Sequence, residues 1–162
     1  MIGCHLKFEP MNDDTLARSI SALKLIIEAK CNNIHLNQSD LEHLFLENEL
    51  RYFSKLTPDE HKEWVEFWKK TPISLRHSPD LPTPQWDFDS MIQTFMNGEY
   101  EIIGIQQDDN EWYLKFSPYS DPYGGTGCMV AFLESFNHRV IGIDDGDGYH
   151  PHMRKMNYWK PK

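Results

Sequence analysis

Near Glu99 the spacing of apolar residues changes from about 3.6 to 2, and this change limits what the chain can fold into. Upstream the pattern is helical. Asn12, Asp13 and Asp14 offer an N-cap, and Leu16, Ile20, Leu23 and Ile27 recur at helical spacing up to Asn32-Asn33. Ser39-Asp-Leu-Glu42 has the form of a capping box and predicts a second helix with Leu41, Leu44, Phe45, Asn48 and Tyr52 on one face. Thr57-Pro-Asp-Glu60 repeats the device with proline at the first helical position, predicting a third helix that turns Trp64, Val65 and Trp68 inward. Residues 71–86 hold Pro72, Pro79, Pro82 and Pro84, so they form a connector, with Ile73, Leu75, Leu81 and Trp86 expected on the core. A fourth helix follows, striped by Phe88, Met91, Ile92 and Phe95 and ended by Asn97-Gly98.

Downstream the pattern alternates. Tyr100 to Ile105 is one strand, Asp108-Asp-Asn110 a polar turn, and Trp112, Leu114 and Phe116 mark the inward side of a second strand. After a Tyr- and Gly-rich loop from Pro118 to Gly127, Met129, Phe132, Leu133 and Phe136 form a fifth helical stripe. Arg139 to Ile143 is a third strand, which runs into Asp144-Asp-Gly-Asp-Gly148. The expected fold class is therefore α+β: one domain over residues 1–162, with a helical N-terminal half (1–98) packed on a small C-terminal sheet. The sheet carries a ββαβ unit (99–150), and residues 151–162 are read as a solvated basic tail. A strand–helix–strand crossover makes the third strand parallel to the second, so the Gly loop and the Asp loop should end side by side at one sheet edge.

At 162 residues one core suffices to hold the chain without metal or disulfide. The formal charge is −9, and because Arg154, Lys155, Lys160 and Lys162 end the chain with no acid among them, residues 1–152 carry −13. Such a body repels nucleic-acid backbones and anionic membrane surfaces and attracts cationic proteins, so neither nucleic acid nor membrane is an expected partner. Cys4, Cys31 and Cys128 are an odd, scattered set, and no signal sequence or apolar run of membrane-spanning length occurs; a reducing cytoplasm is the expected location.

Three segments resemble chemical motifs. Tyr123-Gly-Gly-Thr-Gly-Cys128 looks like a phosphate cradle, but Cys128-Met129 stands where a P-loop needs Lys-Ser/Thr, and Val130 stands where a dinucleotide fingerprint needs glycine. A tight turn into a helix capped by Thr126 is the simpler reading. Asp144-Asp-Gly-Asp-Gly148 fails the EF-hand pattern at Tyr149 and Met156, which leaves an Asp-Gly turn. Cys128 at a helix N-terminus, with His138 or His150 as base, has the makings of a nucleophile, and His150-Pro-His152 and Cys31/His35 are metal-ligand types with too few partners. No cofactor or metal is expected. The alternative function is a small enzyme or nucleotide- or metal-binding protein that uses Gly124–Cys128 and Asp144–Asp147.

Most of the tryptophans fall on inward stripes, whereas Tyr119, Tyr123 and Tyr149 gather on the two loops beside Asp121, Asp144, Asp145 and Asp147. Tyrosine supplies contact area and aspartate supplies complementarity to a basic partner, so these seven are the expected partner-binding residues. The runs Asn97-Gly-Glu-Tyr100, Ile103-Gly-Ile105, Phe116-Ser-Pro-Tyr119, Pro122-Tyr-Gly-Gly-Thr-Gly127 and Val140-Ile-Gly-Ile-Asp-Asp-Gly146 together resemble the closing module of small acidic immunity proteins of bacterial toxin–immunity systems. That resemblance implies a role and not a fold: a non-enzymatic inhibitor that neutralises a cationic toxin by covering it with an acidic face.

Overall fold

The computed structural model describes residues 3–120 and 123–162. Helices pack on one face of a five-stranded antiparallel sheet. In chain order these are β1 (His5–Glu9), α1 (Asp13–Cys31), α2 (Gln38–Leu41), α3 (Glu47–Leu50), α4 (Pro58–Lys70), α5 (Phe88–Asn97), β2 (Tyr100–Asp108), β3 (Glu111–Pro118), α6 (Gly127–Ser135), β4 (Arg139–Asp144) and β5 (Tyr149–Pro151). The sheet order is β2-β3-β1-β4-β5.

The strongest sequence signals correspond to the best-formed elements. Phe88, Met91, Ile92 and Phe95 are all buried on α5, whose first turn is capped by the Asp87 carboxylate accepting from the Ser90 N–H at 3.0 Å. Burying each such side chain is worth about 2 kcal/mol. The Thr57 box closes as expected, with the Thr57 N–H donating to Glu60 at 2.9 Å and the Glu60 N–H to Thr57 Oγ1 at 3.2 Å. Asp109 and Asn110 both take positive φ (50° and 65°), the conformation a tight two-residue hairpin turn between β2 and β3 requires.

Elsewhere the structure departs from the sequence reading. The first segment contains β1, which sits between β3 and β4 and pairs antiparallel with both. Strands β3 and β4 therefore run in the same direction, but β1 lies between them. Leu6 and Phe8 of β1 point into the core, while His5 and Lys7 point to the face that carries no helix. The second predicted helix breaks into α2, a 3-10 turn at Glu42–Leu44, and α3. Its N-cap is Asn37, whose N–H donates to Asp40 at 2.9 Å; Ser39 is the second residue of the helix, not its cap. On α1 the buried face runs through Leu16, Ser19, Leu23 and Ile26, and Ile20 and Ile27 sit at its margin. On this face Ser19 meets buried His138 at 3.0 Å. Arg18 on the same helix makes a two-pronged ion pair with buried Glu49 of α3, at 2.5 and 3.0 Å.

Helix α4 fully buries none of its residues: Trp64, Val65 and Trp68 are half-buried, and none of them packs on the core as expected. In the connector, Ile73 and Leu75 are 77% and 52% exposed, and only Trp86 of the four expected residues packs on the core. The basic tail is not a solvated end. It continues β5 as an extended segment, whose contacts are described below.

Candidate functional site

Because β3 and β4 run the same way, the loops that follow them emerge at the same sheet edge, and the structure brings them together. The Tyr123 hydroxyl donates to the backbone carbonyl of Asp145 at 3.4 Å. Beside this contact lies a pocket of about 450 Å³ lined by Cys4, Pro118, Ser120, Tyr123, Gly125, Asp145, Gly146 and Asp147. Burial and then the carboxylates of Asp144 and Asp145 hold the Cys4 thiol above its ordinary pKa. The same carboxylates that repel a thiolate favour a cation. Cys4 enters the pocket through β1, which no sequence signal placed there.

The expected partner-binding residues divide into three groups. Tyr123 is half-buried, with its ring edge-on to Tyr100 and tilted against Phe116 at centroid distances of 6.1 and 5.6 Å, so its ring forms a wall packed on the core. Tyr119 is 67% exposed, its N–H anchored to the Glu99 carbonyl at 2.8 Å. Asp144 and Asp145 shape their own loop, accepting from the Gly146 and Asp147 N–H groups at 3.0 and 3.2 Å, and Asp147 is exposed. Tyr149 belongs to a different surface: on β5 its ring covers Gly142 and stacks on His5 at 6.3 Å on the helix-free face of the sheet. Asp121 lies outside the described residues.

The glycines of the first loop have structural explanations. Gly124 and Gly125 take φ of +102° and +82°, which side-chain-bearing residues rarely adopt, and a Cβ on Gly127 would stand 3.1 Å from the Trp86 ring. Thr126 occupies the N-cap position of α6, but its side chain makes no capping bond. Cys128 is fully buried, its sulfur 3.4 Å from the Tyr100 hydroxyl, and burial pushes its thiol up to about 11. The helix N-terminus and the Tyr100 bond pull the other way and lose to desolvation, so burial favours the neutral thiol over the thiolate. Its proposed bases are engaged elsewhere. His138 is buried against Ser19 and Met11, and His150 lies at the surface 3.6 Å from Asp145. His152 faces Glu134 at 3.1 Å, and Cys31 and His35 are exposed. Among the described residues, no three His, Cys, Asp or Glu side chains are grouped to hold a metal. Among the described residues, no helix is long and apolar enough to cross a membrane.

No family model, curated protein or solved structure matches the chain.

Proposed function

We propose that this protein is a non-enzymatic inhibitor of the immunity class, which neutralises a cationic toxin by direct binding at the edge where the Gly and Asp loops meet. The observation that carries the reading is the Tyr123–Asp145 junction. It holds the half-buried Tyr123 ring in a 450 Å³ pocket that Asp145 and Asp147 also line, with exposed Tyr119 between the lining residues Pro118 and Ser120 in the chain and Asp144 next to Asp145. The body charge of −13 on residues 1–152 adds long-range attraction for a basic partner. An aromatic anchor with charged neighbours is the usual composition of a binding hot spot and its rim.

The test begins with the neighbouring reading frame, which should encode a basic toxin domain, and measures binding of that protein by biolayer interferometry at low and high salt. Changing Asp144, Asp145 and Asp147 to Asn should slow association more than tenfold at low salt and flatten its salt dependence. No binding, or a metabolic operon around the gene, would overturn the role. Tight binding after replacement of all seven residues, Tyr119, Asp121, Tyr123, Asp144, Asp145, Asp147 and Tyr149, would move the interface elsewhere. A thermal-shift screen with nucleotides and divalent ions separates the enzyme or ligand-binding alternative, since saturation at 100 times Kd adds about 2.7 kcal/mol.

A further inference from the structure

Residues 55–85 leave the body and return to it at a closed neck. The Ser54 N–H donates to the Trp86 carbonyl at 2.9 Å, and the Gln85 amide donates to the Tyr52 carbonyl at 3.3 Å. Between these points lie α4 and the proline-rich connector, and none of their apolar residues belongs to the core or packs on it. A cleft of about 740 Å³ separates the first turns of α4 (Pro58, His61, Trp64) from the body wall formed by Trp86, Asp87 and Ser90.

Among the described residues, the hydrogen bonds and ring contacts that residues 55–83 make outside themselves go to the C-terminal segment. Lys155 Nζ donates to the Leu81 carbonyl at 2.7 Å, and Asn157 Nδ2 donates to the Asp80 carbonyl at 3.1 Å. The Trp159 N–H donates to the Thr83 carbonyl at 2.8 Å, and Thr83 and Tyr158 form a parallel bridge. The Trp159 ring meets Trp64 and Phe67 at 5.4 and 6.4 Å, and the Lys162 N–H donates to Glu63 at 2.9 Å. The same segment is anchored to the body at its other end. The His152 ring meets buried Glu134 at 3.1 Å, its N–H donates to the Ile141 carbonyl at 3.0 Å, and Arg154 lies over the Tyr52 ring at 5.4 Å.

We infer that residues 55–85 form a hinged flap, that residues 152–162 are the strap that latches it, and that the flap opens as one unit while the sheet and α1, α5 and α6 stay folded. The physical reason is the distribution of burial. Opening breaks a handful of half-buried contacts and leaves the core untouched, so its free energy lies well below that of global unfolding. The cleft beside Trp86 widens whenever the strap lets go.

Amide hydrogen exchange of the full chain, followed residue by residue by NMR across low denaturant concentrations, tests this. In the unaltered protein, amides from Glu63 to Lys70 should share one opening free energy, below that of α1, α5 and β3. Trp159→Ala should raise their exchange at least tenfold and leave α1, α5 and β3 unchanged. Exchange of α4 in step with α5 would overturn the flap, as would graded fraying from the helix ends with no shared value. An unchanged α4 in Trp159→Ala would overturn the strap. Lys155→Met, which removes one bond to the connector, serves as the second variant should Trp159→Ala unfold the whole chain, and it should accelerate the same amides and no others.

Discussion

His138 ties the pH dependence of stability to one buried ring. Its Nδ1 accepts the Met11 N–H at 3.0 Å, and its Nε2 lies 3.0 Å from Ser19 Oγ, whose own proton goes to the Leu16 carbonyl at 2.8 Å. Only the neutral ring with its proton on Nε2 satisfies both neighbours, because a proton on Nδ1 would face the Met11 donor. Burial, reinforced by Arg18 and opposed by Glu49, lowers its pKa to about 4 from 6.5. Since the folded value lies below the unfolded one, the unfolded chain takes up the proton first as the solution is acidified. The contribution of His138 to stability should be full above pH 6.5 and be lost as the pH falls toward 4, at about 1.4 kcal/mol per pH unit and about 3 kcal/mol in all. His138→Asn leaves the Ser19 partnership unmade and should cost on the order of 1–3 kcal/mol at pH 7. It also removes the proton linkage, so the gap between the two proteins in urea unfolding should shrink by about 2 kcal/mol between pH 7 and pH 5. A gap that stays constant with pH would refute the reasoning. So would a His138 ring whose NMR signals titrate near pH 6.5.

Other perturbations probe separate parts of the fold. Lys30 Nζ donates to the carbonyls of Phe95, Met96 and Gly98 at 2.6, 3.3 and 2.7 Å, closing the C-terminal end of α5, and Lys30→Met should cost about 2 kcal/mol in urea unfolding. Native-state labelling with a thiol reagent at pH 8 should modify exposed Cys31 first and Cys128 only on unfolding, because the latter is buried with its pKa pushed up to about 11; rapid labelling of Cys128 would contradict the fold. Gly142→Ala would place a methyl group inside the Tyr149 ring, so Tyr149 should leave the sheet face, with loss of its ring-current shift on His5 and about 1–2 kcal/mol of stability.

What the sequence determined by itself was local. The α5 stripe, the Thr57 capping box and the polar turn at Asp108–Asn110, which the structure narrows to Asp109 and Asn110, are each written within a dozen residues, and helical capping, amphipathic spacing and turn chemistry act over that range. The chain order of β3, α6 and β4 was equally legible, and it was enough to place the Gly and Asp loops at one edge. Tertiary structure decided the rest. Strand β1 is five residues long, too short for its own alternation to mark it, and its partners lie beyond residue 110. Its insertion between β3 and β4 brings Cys4 into the pocket. The apolar spacing of α4 resembles that of a core helix, yet none of its residues is buried, because hydrophobic periodicity selects a face without naming what will cover it. Here the covering comes from Trp159, some ninety residues away, in a tail whose charge alone made it look free.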